Sequence, residues 1–207
     1  MITLYHLDRS RSERIIWLLE ELGLDYRVER FLRRPDLYGP EAMKQMHVLG
    51  RAPVIEDGGT KLAESGAIVQ YVLARYGAGR LDVAPSAPNF GAFLYWLHYA
   101  EGSLMLQLLR EWSLSRMLPD AATNPGLAKM REGTQMHLGM VEAALTETPY
   151  FAGADFTAAD IMMAYPFTTF RQHICPIDLA PYPAIQAWVQ RIEARPAFRK
   201  ATAPASD

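Results

Sequence analysis

The sequence predicts two domains of different class, an α/β domain followed by an all-helical one. Strand and helix signals alternate over the first 76 residues, chain-breaking residues cluster between Gly77 and Pro88, and beyond them the apolar stripes repeat with helical spacing.

Ile2 to Leu7 is a short β-prone run. Ile15, Leu18, Leu19 and Leu22 follow at i, i+3, i+4 and i+7, the stripe of an amphipathic helix that Gly23 ends. Tyr26 to Phe31 reads as a second strand, and a short helix is expected around Glu41 to Met46. Ala52 to Glu56, the turn Asp57-Gly58-Gly59, and Lys61 to Ala63 form a hairpin, with a helix from Ser65 to about Tyr76. This order implies a mixed sheet with helices packed on it. Pro53, at the mouth of a strand, belongs on an edge or in a special turn where a cis bond is allowed.

Gly77, Gly79, Pro85 and Pro88 mark the linker. Past it, Phe90 to about Met117 is one long helical segment ended by Pro119, and Gly126 to Leu145 is a second. Thr157-Ala158-Ala159-Asp160 has the spacing of a capping box, with Phe156 and Ile161 at the two positions of a hydrophobic staple. Ile185, Trp188, Val189 and Ile192 give the last helical stripe, and Ala201 to Asp207 is expected to be a frayed tail.

Composition narrows the function classes. The chain has 207 residues, half of them hydrophobic, and a net charge of −2 without a strongly basic segment, which argues against a nucleic-acid partner. Its one cysteine, Cys175, excludes an intrachain disulfide and a multi-thiolate zinc site. His98, His137 and His173 fall at no metal-ligand spacing. The N-terminal run lacks the basic start and apolar stretch of a signal peptide, and no segment reaches the ~20 apolar residues of a membrane span. The expected location is the cytoplasm.

Three short constellations hold chemistry-bearing groups. Ser10 and Glu13, between the first strand and the first helix, have capping-box spacing. A hydroxyl at that place also lies where a helix N-terminus favours an anion, so Ser12 can cap while Ser10 serves a ligand. Glu64-Ser65 precedes another helix, with Ser65 as a plausible N-cap or a carboxylate site and Glu64 facing an ammonium. In Arg51-Ala52-Pro53, a cis proline would present the Ala52 backbone for strand-like pairing with a peptide ligand.

Taken in order, these pieces resemble the glutathione transferase family over essentially the whole chain, as a cytosolic, serine-type member of bacterial or fungal character. The resemblance rests on Tyr5-His6-Leu7-Asp8-Arg9-Ser10-Arg11-Ser12-Glu13-Arg14, Leu49-Gly50-Arg51-Ala52-Pro53-Val54-Ile55 and Leu62-Ala63-Glu64-Ser65-Gly66-Ala67-Ile68. In the helical half it rests on Tyr99-Ala100-Glu101-Gly102-Ser103-Leu104 and Phe156-Thr157-Ala158-Ala159-Asp160-Ile161. The family's usual Asn-Pro pair ahead of Gly50 is His47-Val48 here.

The resemblance implies a thioredoxin-like glutathione-binding domain over residues 1–78 and an all-helical domain over 89–207 that carries the electrophile pocket. It implies conjugation of the glutathione thiolate to small apolar electrophiles, a role in detoxification, glutathione as co-substrate with no further cofactor, and a homodimer. Ser10 would donate to the sulfur and lower the thiol pKa from the ~8.5 of a free cysteine; Tyr5 is the rival donor. Strand alternation lets only one of Tyr5 and His6 face the site. Ala52, before Pro53, would pair with the cysteinyl part, Glu64 and Ser65 would take the γ-glutamyl end, and Arg51 would meet the glycyl carboxylate. Glu101 matches the family's cross-subunit acid, and Tyr5, Tyr99, Leu106 and Trp112 are candidates for the second-substrate pocket. A glutathione-dependent isomerase, peroxidase or dehalogenase, or a non-catalytic binding protein, are the alternatives on the same fold.

Overall fold

The computed structural model describes residues 1–203. It divides into two compact units, one formed by Met1–Ala84 with the chain from Arg191 onward, the other by Pro85–Gln190. The all-helical domain is expected over 89–207; in this division the residues from Arg191 onward group with the first unit instead.

The first unit is built on a four-stranded sheet in the order β2-β1-β3-β4. Strand β1 (Ile2–Leu7) runs parallel to β2 (Tyr26–Phe31) and antiparallel to β3 (Val54–Asp57), which pairs antiparallel with β4 (Thr60–Ala63). The inner strands are the apolar ones: Leu4, Val54 and Ile55 are fully buried, while the edge strand β2 carries Arg27, Glu29 and Arg30. Charge on an edge strand discourages pairing with another chain. Gly58 and Gly59 join β3 to β4 at φ of 53° and 86°, a turn that residues with side chains adopt poorly. Pro53 lies just ahead of the inner strand β3, so its place is the special turn and not an edge.

Helix α1 (Glu13–Glu21) and its C-cap Leu22 bury the predicted stripe of Ile15, Leu18, Leu19 and Leu22, together with Trp17, and Gly23 follows at φ 61°. Helix α2 (Ser65–Val72) buries Ile68, Val69 and Val72 and runs on through a π turn, Leu73–Gly77. The segment at Glu41–Gln45 is a single 3₁₀ turn.

In the second unit, the long predicted segment is α3 (Phe90–Tyr99) and α4 (Leu106–Met117), joined by a π turn at Ala100–Met105. Helix α5 (Pro125–Glu147) starts where Asn124 Oδ1 accepts the Gly126 and Leu127 amides at 3.0 and 3.1 Å, with Pro125 at the first helical position. Helix α6 (Ala158–Tyr165) opens on the predicted capping box of Thr157 and Asp160. A π turn at Pro166–Phe170 leads into α7 (Arg171–His173), and α8 (Pro183–Glu193) places Trp188 edge-on to Phe151 and Phe167 in the core.

The chain then re-enters the first unit as α9 (Pro196–Thr202), which packs on α1 through Phe198, whose ring meets Trp17 edge-on at 4.9 Å. The frayed tail expected from Ala201 is corrected to this extent: Ala201 is buried at the end of α9. Residues 204–207 lie outside the described residues.

Candidate active site

Strand register gathers the three constellations at one end of the sheet. Tyr5 pairs with Val54, and Val54 pairs with Ala63, so one row crosses the end of β1, the start of β3 and the end of β4. The chain leaves that row toward Ser10 from β1, arrives from Arg51-Ala52-Pro53 into β3, and leaves toward Glu64-Ser65 from β4.

The loop after β1 is held by a hydroxyl chain that the sequence only hinted at. Ser12 comes directly before α1, yet its backbone is already helical and its side chain caps no helical N–H. Its oxygen lies 2.7 Å from Ser10 Oγ and 2.7 Å from His6 Nδ1, and accepts the Leu7 amide at 3.3 Å. Ser10 Oγ in turn accepts the Ser12 amide at 3.2 Å, while the Ser10 carbonyl takes the Glu13 amide. The capping box read at Ser10 and Glu13 therefore gives way to a turn in which Ser10 and Ser12 bond each other, and the first helical amides go to backbone carbonyls.

His6 Nε2 lies 3.6 Å from Asp8 Oδ1, and Arg30 grips both oxygens of Asp8 at 2.6 and 2.9 Å. This fork holds the Asp8 carboxyl below the usual range. Burial pushes His6 the other way: loss of water outweighs Asp8, with Arg30 and Arg33 adding to the effect, and the imidazole falls to about 4. His6 is neutral near neutral pH. Arg33 donates to the carbonyls of Asp8 at 2.8 Å, Arg9 at 2.9 Å and Leu37, tying down the loop in which Arg9 sits at φ 52°.

Tyr5 points to the other face of β1. Its hydroxyl donates to Glu56 at 3.0 Å, the Lys61 ammonium stands 5.6 Å from its ring, and burial with the adjacent Glu56 carboxylate raises its pKa. His6 thus lies on the Ser10 side and joins the Ser10–Ser12 pair, whereas Tyr5, the rival of Ser10, is engaged with Glu56.

The Ala52–Pro53 peptide bond is cis, and Arg51 before it is exposed. Glu64, not Ser65, is the residue that precedes α2; it holds φ 73° and ψ 119° and is exposed, while Ser65 begins the helix and is buried. Glu64 holds an uncommon backbone conformation for a residue with a side chain, and that side chain makes no capping hydrogen bond to the first amides of α2.

In the second unit, Glu101 is half-buried in the π turn between α3 and α4. Of the residues expected to line a second pocket, Tyr5 is bound to Glu56, and Tyr99 is a core residue whose hydroxyl pairs with His137 Nδ1. Leu106 is 52% exposed, and Trp112 lies half-buried beneath the Arg116 guanidinium, 5.2 Å from the ring. Cys175 is half-buried, and burial raises its thiol pKa. Among the described residues, no three His, Cys, Asp or Glu side chains cluster as metal ligands, and no helix is long and apolar enough to cross a membrane.

Comparison with known proteins agrees with this architecture. The profile of the glutathione S-transferase N-terminal domain matches residues 4–80, and that of the C-terminal domain matches residues 111–196. Glutathione S-transferase 3 of Schizosaccharomyces pombe is 31% identical over 219 aligned positions, covering 100% of this chain and 89% of its own. The disulfide-bond oxidoreductase YfcG of Escherichia coli is 29% identical, covering 97% and 94%. A solved glutathione S-transferase from Actinobacillus pleuropneumoniae superposes with a TM-score of 0.86 at 32% identity, over 97% of this chain and 91% of that one. The chain belongs to the glutathione transferase family.

Proposed function

We propose that the protein conjugates the thiolate of glutathione to small apolar electrophiles, with Ser10 donating its hydroxyl hydrogen to the sulfur. The observation that carries this reading is the shared row Tyr5–Val54–Ala63, which sends Ser10, Ala52 and Glu64-Ser65 out from one end of the sheet. A tripeptide laid across that end meets a hydroxyl, a backbone strand end and a helix start, in the order its thiol, its peptide groups and its γ-glutamyl carboxylate require. Arg51 supplies a cation for the glycyl carboxylate. In a homodimer, Glu101 of the second subunit would face the γ-glutamyl ammonium. Leu106 and Trp112 offer apolar surface to the electrophile.

The donor assignment is tested with two variants. Ser10→Ala loses one hydrogen bond to a charged sulfur, ~1.5–3 kcal/mol, so turnover falls about ten- to a hundredfold while glutathione binding changes less. Tyr5→Phe keeps most activity, since it removes a bond to Glu56. Full activity in Ser10→Ala beside an inactive Tyr5→Phe would reverse the assignment.

A second reading rests on the Escherichia coli relative named as a disulfide-bond oxidoreductase. Glutathione thiolate held at Ser10 can also attack a disulfide sulfur, forming a mixed disulfide and releasing the other sulfur as thiolate, and the step needs no cysteine from this chain. Parallel assays of a chromogenic electrophile, an organic peroxide and a small disulfide, each with glutathione, separate these reactions. Retention on immobilised glutathione without any turnover would favour a binding protein.

A further inference from the structure

The hydrogen count along Ser10, Ser12 and His6 has two solutions, and glutathione selects between them. Ser12 owns one hydroxyl hydrogen and has three acceptors in reach: Ser10 Oγ at 2.7 Å, His6 Nδ1 at 2.7 Å and the Leu7 carbonyl at 3.3 Å. The last is long for an O–H···O bond, so the hydrogen lies on one of the two short contacts. If it goes to His6 Nδ1, the ring carries its own hydrogen on Nε2, and Ser10 donates to Ser12. If it goes to Ser10, the ring carries its hydrogen on Nδ1, and the Ser10 hydrogen is released from the chain.

At rest the first arrangement wins. Asp8, kept ionised by Arg30, lies on the Nε2 side of the ring at 3.6 Å and favours a hydrogen there. The other charges acting on His6 are the guanidinium groups of Arg30 and Arg33, which with burial keep the ring uncharged. A thiolate inverts the preference. At 3.6 Å the Nε2–Asp8 contact is no hydrogen bond, whereas an O–H donated to an anion is about twice as strong as a neutral one. Once Ser10 turns its one hydrogen to the sulfur, its 2.7 Å contact with Ser12 holds a hydrogen only if Ser12 donates it.

We propose that Ser12 and His6 are positioning residues whose hydrogens reverse direction when bound glutathione ionises, the ring hydrogen of His6 moving from Nε2 to Nδ1. This rests on Ser10 being the sulfur donor. The step balances as one proton lost from the complex. The S–H bond breaks and its hydrogen passes to Ser10, that of Ser10 passes to Ser12, and that of Ser12 to Nδ1. The Nε2 proton then leaves past Asp8 to water. The ring is restored neutral in its other tautomer, and Ser10 now donates to the thiolate.

The test reads the two ring nitrogens of His6 by ¹⁵N NMR in the free protein, with glutathione above its bound thiol pKa, and with S-methylglutathione, which cannot ionise at sulfur. The expected result is hydrogen on Nε2 in the free and S-methyl forms and on Nδ1 with glutathione. Ser12→Ala should leave the His6 tautomer unchanged on glutathione binding and raise the bound thiol pKa by about half a unit, threefold less thiolate at a given pH below it. His6→Asn, whose amide donates from the Nδ1 position in either state, sets the thiolate arrangement in advance and should lower the bound thiol pKa below the parent's. It takes the place of Ser12→Ala if that variant does not fold, and an unshifted value would then overturn the coupling. An unchanged tautomer in the parent, or a parental thiol pKa in Ser12→Ala, overturns the coupling while leaving Ser10 as donor. A parental thiol pKa in Ser10→Ala instead removes the donor reading beneath it.

Discussion

Arg195 closes on Glu21 through two parallel hydrogen bonds of 2.6 and 2.8 Å, joining the turn before α9 to the end of α1 across 174 positions of sequence. The Trp17 indole donates to the same carboxylate at 2.9 Å, and Lys200 pairs with neighbouring Glu20. With Phe198 against Trp17, these contacts make the C-terminal helix part of the sheet-bearing unit. Arg195→Met should lower stability by about 1–3 kcal/mol, because Glu21 keeps the indole but loses its fork. Urea unfolding measures the loss, and glutathione affinity in the folded variant should match the parent. An unshifted midpoint would mean that α9 contributes little.

A pH dependence follows from His6. Its ring pKa is lowered to about 4 in the folded chain, against 6.5 when exposed. Above pH 6.5 the ring is neutral in both states, and its environment costs nothing. As pH falls from 6.5 toward 4 the unfolded chain takes up a proton that the folded one refuses, so stability declines by up to about 3 kcal/mol. Asp160 works against this trend. Burial raises its carboxyl to about 6, so its contribution is present at low pH and lost as pH rises through 6. The His6→Asn variant separates the two: between pH 7 and pH 4 the parent should lose about 3 kcal/mol relative to it in urea unfolding. An equal loss in both would place the titration elsewhere.

Element type was legible wherever the pattern was local and periodic. The stripe from Ile15 to Leu22, the hairpin around Gly58-Gly59, and the Thr157–Asp160 box each depend on neighbours within a few residues, and each forms as read. Helix α9 was not legible. It has one large apolar residue, Phe198, and its stability comes from α1, far away in sequence. Asn124-Pro125 did carry a local signal, an N-cap followed by proline at the first helical position. At the candidate site, alternation put Tyr5 and His6 on opposite faces but left open which one faced Ser10. That choice depends on Glu56 arriving beside Tyr5 through strand pairing, and on Ser12 turning back from α1 to His6. Spacing alone makes Ser12 a candidate helix cap, because it reports which partners are near and not which of them a hydroxyl takes. Arg33 gave no signal at all: its three carbonyl acceptors are assembled only by the folded loop.

Glu101 separates an intrasubunit role from a role in assembly. If it serves the γ-glutamyl ammonium of a second subunit, Glu101→Ala should weaken glutathione binding by ~1–3 kcal/mol with folding nearly intact. Calorimetry of glutathione binding gives the first quantity and light scattering the assembly state. A fully active monomer would take away the basis of this role, and unchanged affinity in a dimer would confine Glu101 to its own subunit.

The capping box at α6 makes the sharpest stability prediction, because Thr157 and Asp160 share a motif but not a burden. Thr157 Oγ accepts the Ala159 amide at 3.3 Å, an ordinary cap, so Thr157→Ala should cost ~0.5–2 kcal/mol. Asp160 is fully buried and serves donors from three parts of the second unit. Its Oδ1 accepts the Phe151 amide at 3.1 Å and the Trp188 indole at 3.0 Å, and its Oδ2 accepts the Thr157 amide at 3.0 Å. Asp160→Ala strands these three N–H groups, and the Thr157 hydroxyl that donates to Oδ2 at 3.3 Å, in the buried core, and each stranded donor costs about 1–3 kcal/mol. The expected loss is therefore several times that of Thr157→Ala, and it falls on the helical unit. Asp160→Asn keeps one acceptor oxygen but turns an amide N–H₂ toward the remaining donors, so it should lie between the other two. Denaturant midpoints for the three variants should follow the order Thr157→Ala, Asp160→Asn, Asp160→Ala from most to least stable. Equal losses for Thr157→Ala and Asp160→Ala would show that Asp160 acts as a helix cap alone and that Phe151 and Trp188 find other partners.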